Sequence, residues 1–210
     1  MTDWATVSAL ATAGGTLVLA AATFASVRST HQAARATERA LLAGIRPVLV
    51  PSRLEDPPEK VGFGDNHWLK VGGGLAGAEV VDDVVYLAIP LRNVGNGIGV
   101  LDRWDFAAGH ENGTYPHREP EQFYRLTRDL YVPATDRGFW QGAFRDPSDP
   151  MYEIAKTAVS ERQRVGIDVL YGDHEGGQRT ITRIMLTPLE DSRWIAAVVR
   201  HWNLDRADPR

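Results

Sequence analysis

Cysteine is absent from all 210 residues. That excludes disulfides, thiolate catalysis and cysteine-ligated zinc. Net positive charge is also lacking: the formal charge is -4 and the pI about 5.9, so the molecule is no polycation built to coat nucleic acid. The six histidines form no His-Glu-x-x-His pattern, no Gly-x-Ser-x-Gly elbow occurs, and Gly72-Gly73-Gly74 has no following Lys-Ser/Thr. The glycine run reads as a flexible loop tip. His110 and His117, with Glu111 and Glu119 nearby, lack the fixed spacing of a metal site and read as loop residues. Asp102 and Asp105 point opposite ways on one strand and make a poor acid/base pair. The expectation is therefore a non-catalytic protein with no cofactor and no bound metal.

What is present begins with an uncharged run from Ala5 to Val27. As a helix it spans roughly 35 Å, enough for a bilayer core of about 30 Å. Its composition is weakly apolar: eight Ala, six Thr or Ser, two Gly and only seven Val, Leu or Phe. The run predicts a transmembrane anchor over residues 1–27. Nothing basic precedes it, and Arg28, Arg35, Arg39 and Arg46 follow it, which predicts an outer N-terminus and a C-terminal domain on the cytoplasmic side of the inner membrane. Ala11 and Gly15 form a small-xxx-small pair suited to close helix packing, either self-association or a partner helix.

The helix is expected to continue through a basic juxtamembrane neck, residues 28–46, since neither Gly nor Pro interrupts it before Gly44 and Pro47. The four arginines fall within about 20° of one line on a helical wheel. Two readings stay open: a solvated face, or a face laid against anionic headgroups. Four arginines on one helix are too weak a signal for nucleic-acid binding.

From residue 47 to 210 the chain turns acidic and its apolar pattern takes a period of two. Val85, Leu87, Ile89 and Leu91 alternate with polar or small neighbours, as do Val165, Ile167, Val169 and Tyr171. Pro90 suggests an edge or a bulge. Turn sequences, Asn93-Val94-Gly95-Asn96-Gly97 and Gly172 to Gly177, separate these runs. An antiparallel β-sandwich is expected. Trp194, Val198 and Trp202 leave strand and helix both open for 193–203. Residues 109–160 read as an irregular insertion, with strand fragments near Leu130–Val132 and Phe139–Phe144 and a short helix near Met151–Val159. Its aromatic residues Tyr131, Phe139 and Trp140 are the expected interaction surface.

An anchor, a helical neck, the entry Arg46-Pro47-Val48-Leu49-Val50, a strand ending in Leu91-Arg92-Asn93-Val94-Gly95-Asn96-Gly97 and late strands joined by Tyr171-Gly172-Asp173: together these resemble a broad group of bacterial, actinobacterial-looking single-pass membrane proteins with an immunoglobulin-like domain. The resemblance implies a fold and an anchor and brings no catalytic residues. The resulting expectation is a membrane-anchored protein-interaction module with the lipid bilayer and a protein as partners. The alternatives are an accessory subunit of a larger membrane complex, or a ligand-binding or enzymatic domain using 109–160.

Overall fold

The computed structural model describes residues 3–108 and 115–206, without the side chains of residues 4, 6, 7 and 9–11. The chain forms two compact units, Met1–Ala43 and Gly44–Arg210.

The first unit is one uninterrupted helix, α1 (Trp4–Gly44), so span and neck form a single element that stops at the expected glycine. Leu17, Val18, Leu19, Phe24, Val27 and Leu41 are all exposed on it, as are Arg28, Arg35 and Arg39. Its hydroxyls turn inward: Thr12, Thr16, Thr23 and Thr30 each donate to the carbonyl four residues earlier, at 2.8–2.9 Å. Among the described residues, no helix is long and apolar enough to cross a membrane, because alanine, threonine and glycine dilute the few large apolar residues. The side chains of Leu10 and Ala11, at the start of the expected span, lie outside the described ones.

The second unit is mainly antiparallel β. Its strands are β1 (Leu49–Pro51), β2 (Glu59–Gly62), β3 (Trp68–Val71), β4 (Leu75–Val81), β5 (Val84–Asn93), β6 (Gly99–Ala108), β7 (Tyr124–Val132), β8 (Arg137–Phe144), β9 (Val165–Gly172), β10 (Arg179–Pro188) and β11 (Trp194–Asn203), with one helix, α2 (Tyr152–Ser160). Nine strands form a single curled sheet in the order β1-β5-β4-β11-β10-β9-β6-β7, with β8 on the other side of β5. Among the described residues, the strand pairing that joins the two halves of this half-barrel is short, Trp194 with Ala76 and Ile195 with Leu75. The remaining strands, β2 and β3, form a hairpin.

The alternating faces meet as the sequence predicts. Val85, Leu87, Ile89 and Leu91 share one core with Val165, Ile167 and Val169, and α2 contributes Tyr152, Ala155, Ala158 and Val159. The opposite faces are buried too. Tyr86 and Ala88 pack with Val61, Phe63, Leu69 and Val71 of the β2–β3 hairpin. Leu170, Ile181 and Trp202 pack against Phe123. On that same outer face lies a buried ion pair, Arg183 with Asp168, whose guanidinium also stacks 3.5 Å from the Tyr115 ring centre.

Several expectations are corrected here. Residues 124–160 are no irregular insertion: β7, β8 and α2 belong to the sheet and its core. The last segment is a strand. A bulge at Arg183/Ile184 in the β10–β11 pairing interrupts the alternation, so Trp194 and Trp202 fall in different clusters. Pro90 lies on no edge. Its carbonyl accepts from Ser52 N at 2.9 Å, so its missing N–H faces the place where β4, ending its pairing at Ala88, gives way to β1, which starts at Leu91.

Gly73 is buried rather than at a loop tip, because a Cβ there would lie 1.9 Å from Arg53 O. Gly95 and Gly97 serve close approach, not positive φ: Cβ atoms there would lie 2.2 Å from Arg46 O and 1.7 Å from Ile45 O. The buried Asn93 completes this clasp. Its Oδ1 accepts from Val48 N and Gly95 N, while its Nδ2 donates to Gly97 O and Val132 O.

Arg46 belongs to this entry and not to a free basic face. It pairs with Asp205 and donates to Asn203 Oδ1 at 2.9 Å. Arg28, Arg35 and Arg39 thus remain as the exposed arginines of the neck.

Candidate functional site: a groove between two open strand edges

β7 and β8 follow one another through a turn at Pro133–Asp136, closed by Asp136 N donating to Pro133 O at 3.2 Å. Such neighbours usually pair as a hairpin. Here they do not: β7 bonds to β6 and β8 to β5, leaving each with an edge toward the other. At the turn the strands still touch, since a Cβ at Gly138 would lie 2.9 Å from the Val132 side chain.

Beyond it, β7 departs from regular pairing. Leu101 pairs with Leu130 and Arg103 with Arg125, so residues 126–129 stand opposite Asp102 alone. This bulge carries Thr127, Arg128 and Asp129 in a strand otherwise anchored inward by Tyr124, Leu126, Leu130 and Val132. A polar bulge of this kind bends an edge strand away from its neighbour.

The space left between the strands is a groove in two connecting parts, of about 510 Å³ and 120 Å³. Phe63, Gly64, Thr127 and Gln141 line both. Lys60, Arg125, Arg128 and Arg145 bring positive charge, and no Asp or Glu lines either part. Aromatic rings hold three of these cations: Lys60 Nζ lies 4.6 Å from the Trp68 ring centre, Arg128 5.5 Å from that of Phe139, and Arg145 5.7 Å from that of Tyr86. Arg128 also spans the seam, donating to Gln141 Oε1 at 2.8 Å.

Behind the groove, Asp65 accepts from Tyr86 OH at 2.7 Å and from Arg145 Nε at 3.1 Å. Burial and this hydrogen bond push the Tyr86 phenol up to about 12. For Asp65, burial acts upward, but the bonds from Tyr86 and Arg145 outweigh it and lower the carboxyl pKa.

The three aromatic residues expected to form an interaction surface separate here. Trp140 is 0% exposed, edge-on to Trp104 in the inner core at 5.2 Å, and is withdrawn as a contact residue. Adjacent residues on a strand face opposite ways, so Phe139 points outward, half-buried, into the groove. Tyr131 is 57% exposed. Ala11 lies outside the described side chains, whereas a Cβ at Gly15 would meet nothing within 4 Å. Trp68, Lys60, Arg128 and Arg145 line the groove beyond the residues the sequence predicts. Of these, Arg128 alone carries a sequence signal, the break in alternation at Thr127-Arg128-Asp129.

A second cleft, of about 680 Å³, lies beside α2 and is more apolar. Asp105 enters it, 3.0 Å from Arg118, with a pKa raised by burial despite that cation. Its lining residues Ala108 and Tyr115 flank residues 109–114, outside the description, where His110 and Glu111 also lie. Among the described residues, no group of three or more His, Asp or Glu could hold a metal ion. His117 sits edge-on to Trp202, and His201 bonds Thr182 at 2.7 Å with its pKa lowered by burial. No family model, no curated protein and no solved structure matches this chain.

Proposed function

We propose that the chain is a membrane-tethered, non-catalytic protein-interaction module, with α1 as the tether and the groove between β7 and β8 as the contact face. The groove carries this reading: two strand edges left open within one molecule, lined by cations and an exposed Trp68, are a standing template for another chain. Aromatic and arginine residues are also the types enriched where proteins bind one another.

Two features of α1 support the tether. Leu17, Val18, Leu19 and Phe24 are exposed together, and the threonine hydroxyls satisfy themselves within the helix, as a helix in lipid requires. Arg28, Arg35 and Arg39 then sit on the cytoplasmic side with the domain. Gly15 leaves room for a second α1 or a partner helix. We read the two halves of the curled sheet as an immunoglobulin-like arrangement joined along one side by β4 and β11.

The test is photocrosslinking of the full-length protein in its native membranes, with a photoreactive residue at the groove residue Trp68 or, as control, at Glu190. The expected result is a protein resistant to carbonate extraction that yields a discrete protein adduct from Trp68 and none from Glu190. Recovery of the full chain in the soluble fraction, or identical adducts from both positions, overturns the reading.

A further inference from the structure

We infer that the groove takes an extended acidic peptide segment, added as a strand along the free edge of β8 with its carboxylates toward the β7 bulge. The inference rests on the interaction-module reading and names the chemistry of the partner.

Three observations converge on it. First, among the described residues β8 pairs with β5 alone, so its other edge, beside the groove, has no strand partner. An incoming strand pairs with such an edge whatever its sequence. Second, the opposite wall supplies charge. Arg125 and Arg128 are exposed on β7 and Lys60 stands at one end, whereas Arg145 at the other is already paired with Asp65. The protein as a whole is acidic, at -4, so a wall of cations without one lining carboxylate is no average of the surface. It sets the sign of the partner.

Third, the contact between the walls is weak. Arg128 bridges to the neutral Gln141 and reaches Gly62 O at only 3.4 Å. A carboxylate is a stronger acceptor for a guanidinium than an amide oxygen, so an acidic segment displaces Gln141 from Arg128 at little loss. A single-stranded nucleic acid would also answer to positive charge, but such strands need rings on which successive bases stack. Trp68 is the one strongly exposed ring among the groove residues.

The test uses full-length protein in nanodiscs and four fluorescein-labelled probes: a ten-residue peptide alternating Glu and Val, its Lys–Val counterpart, a Glu–Val peptide N-methylated at alternate residues, and a ten-nucleotide oligothymidylate. Anisotropy is expected to show binding of the Glu–Val peptide, weakening with salt, none of the Lys–Val peptide, and at least a tenfold loss on N-methylation. Hydrogen exchange should slow at residues 138–144. Arg128→Glu should weaken binding at least tenfold; Arg128→Gln, the milder change, should weaken it in the same direction with the circular dichroism spectrum unaltered.

Absence of Glu–Val binding at millimolar peptide overturns the inference. So does equal binding of the N-methylated peptide, which would remove the strand pairing, or protection of 138–144 by oligothymidylate alone. A crosslink from Trp68 that persists alongside such a failure leaves the interaction module standing and discards only the acidic strand.

Discussion

Arg183 and Asp168 stand directly opposite one another on β10 and β9, and their side chains form a bidentate ion pair, Nε to Oδ1 at 2.7 Å and Nη2 to Oδ2 at 2.6 Å. The arginine side chain is fully buried and the aspartate nearly so. Removing one partner strands the other charge in the interior. Asp168→Ala should therefore cost about 3–5 kcal/mol in urea unfolding. The double variant Asp168→Leu with Arg183→Met should be the more stable of the two. If the single variant loses less than the double, the contacts of Arg183 with Tyr115 and Trp202 hold the buried charge without Asp168.

The pairing of Arg46 with Asp205 predicts a different signature. Burial raises the Asp205 pKa, but the hydrogen bond and charge of Arg46 outweigh it, so the folded value lies below the ordinary one. The stabilisation is thus present above the unfolded pKa of about 3.9 and is lost as pH falls through the folded value. Arg46→Ala should cost about 1–3 kcal/mol at neutral pH, from hydrogen bonds to a charged partner, and the deficit should shrink in acid. Thermal melts from pH 7 to pH 2 would show it.

Asp105 should behave with the opposite sign. Burial raises its pKa, so the folded protein holds this proton more tightly than the unfolded chain. Its contribution is most favourable below about pH 4 and declines as pH rises through the folded pKa. Asp105→Asn removes that decline. The melting temperature of the variant minus that of the parent should climb with pH above about 4 and then level. A flat difference would mean that the carboxyl is not held as the geometry implies.

Ile167 and His174 form a contrasting pair. Ile167 is 0% exposed in the inner core, and Ile167→Ala should cost about 2–5 kcal/mol. His174 lies in the β9–β10 turn with only the exposed Glu175 as ionic partner, and His174→Ala should change stability by less than about 0.5 kcal/mol. Equal losses in denaturant titrations would contradict the burial of β9.

The parts of this fold readable in sequence are those governed by local periodicity. Val85, Leu87, Ile89 and Leu91 announced their strand, and Gly44 the end of α1, because strand pleat and helix termination are written in a few adjacent residues. What could not be read depends on distant chain. Tyr86 and Ala88 are covered by a hairpin some twenty residues earlier, and Gly97 is required by the backbone of Ile45. The groove escaped for the same reason. Phe139 and Trp140 are equally aromatic neighbours, and only the side of β8 on which each falls separates a groove wall from a core. The failure of β7 and β8 to pair across a four-residue turn likewise depends on the register each keeps with a third strand.

Arg46 and Asp205 are separated by 159 residues along the chain. During synthesis, Arg46 at the entrance of the β-domain emerges from the ribosome before all of its strands, and Asp205, which holds it, emerges after all of them. β1 also waits for the Tyr171 hydroxyl, which Leu49 N meets at 3.1 Å. Long-range closure of this kind slows folding and leaves strand edges open meanwhile. The domain therefore completes its fold only once β11 and Asp205 have left the ribosome, and a nascent chain halted before β10 and β11 should remain protease-sensitive even though most of its strands have been made.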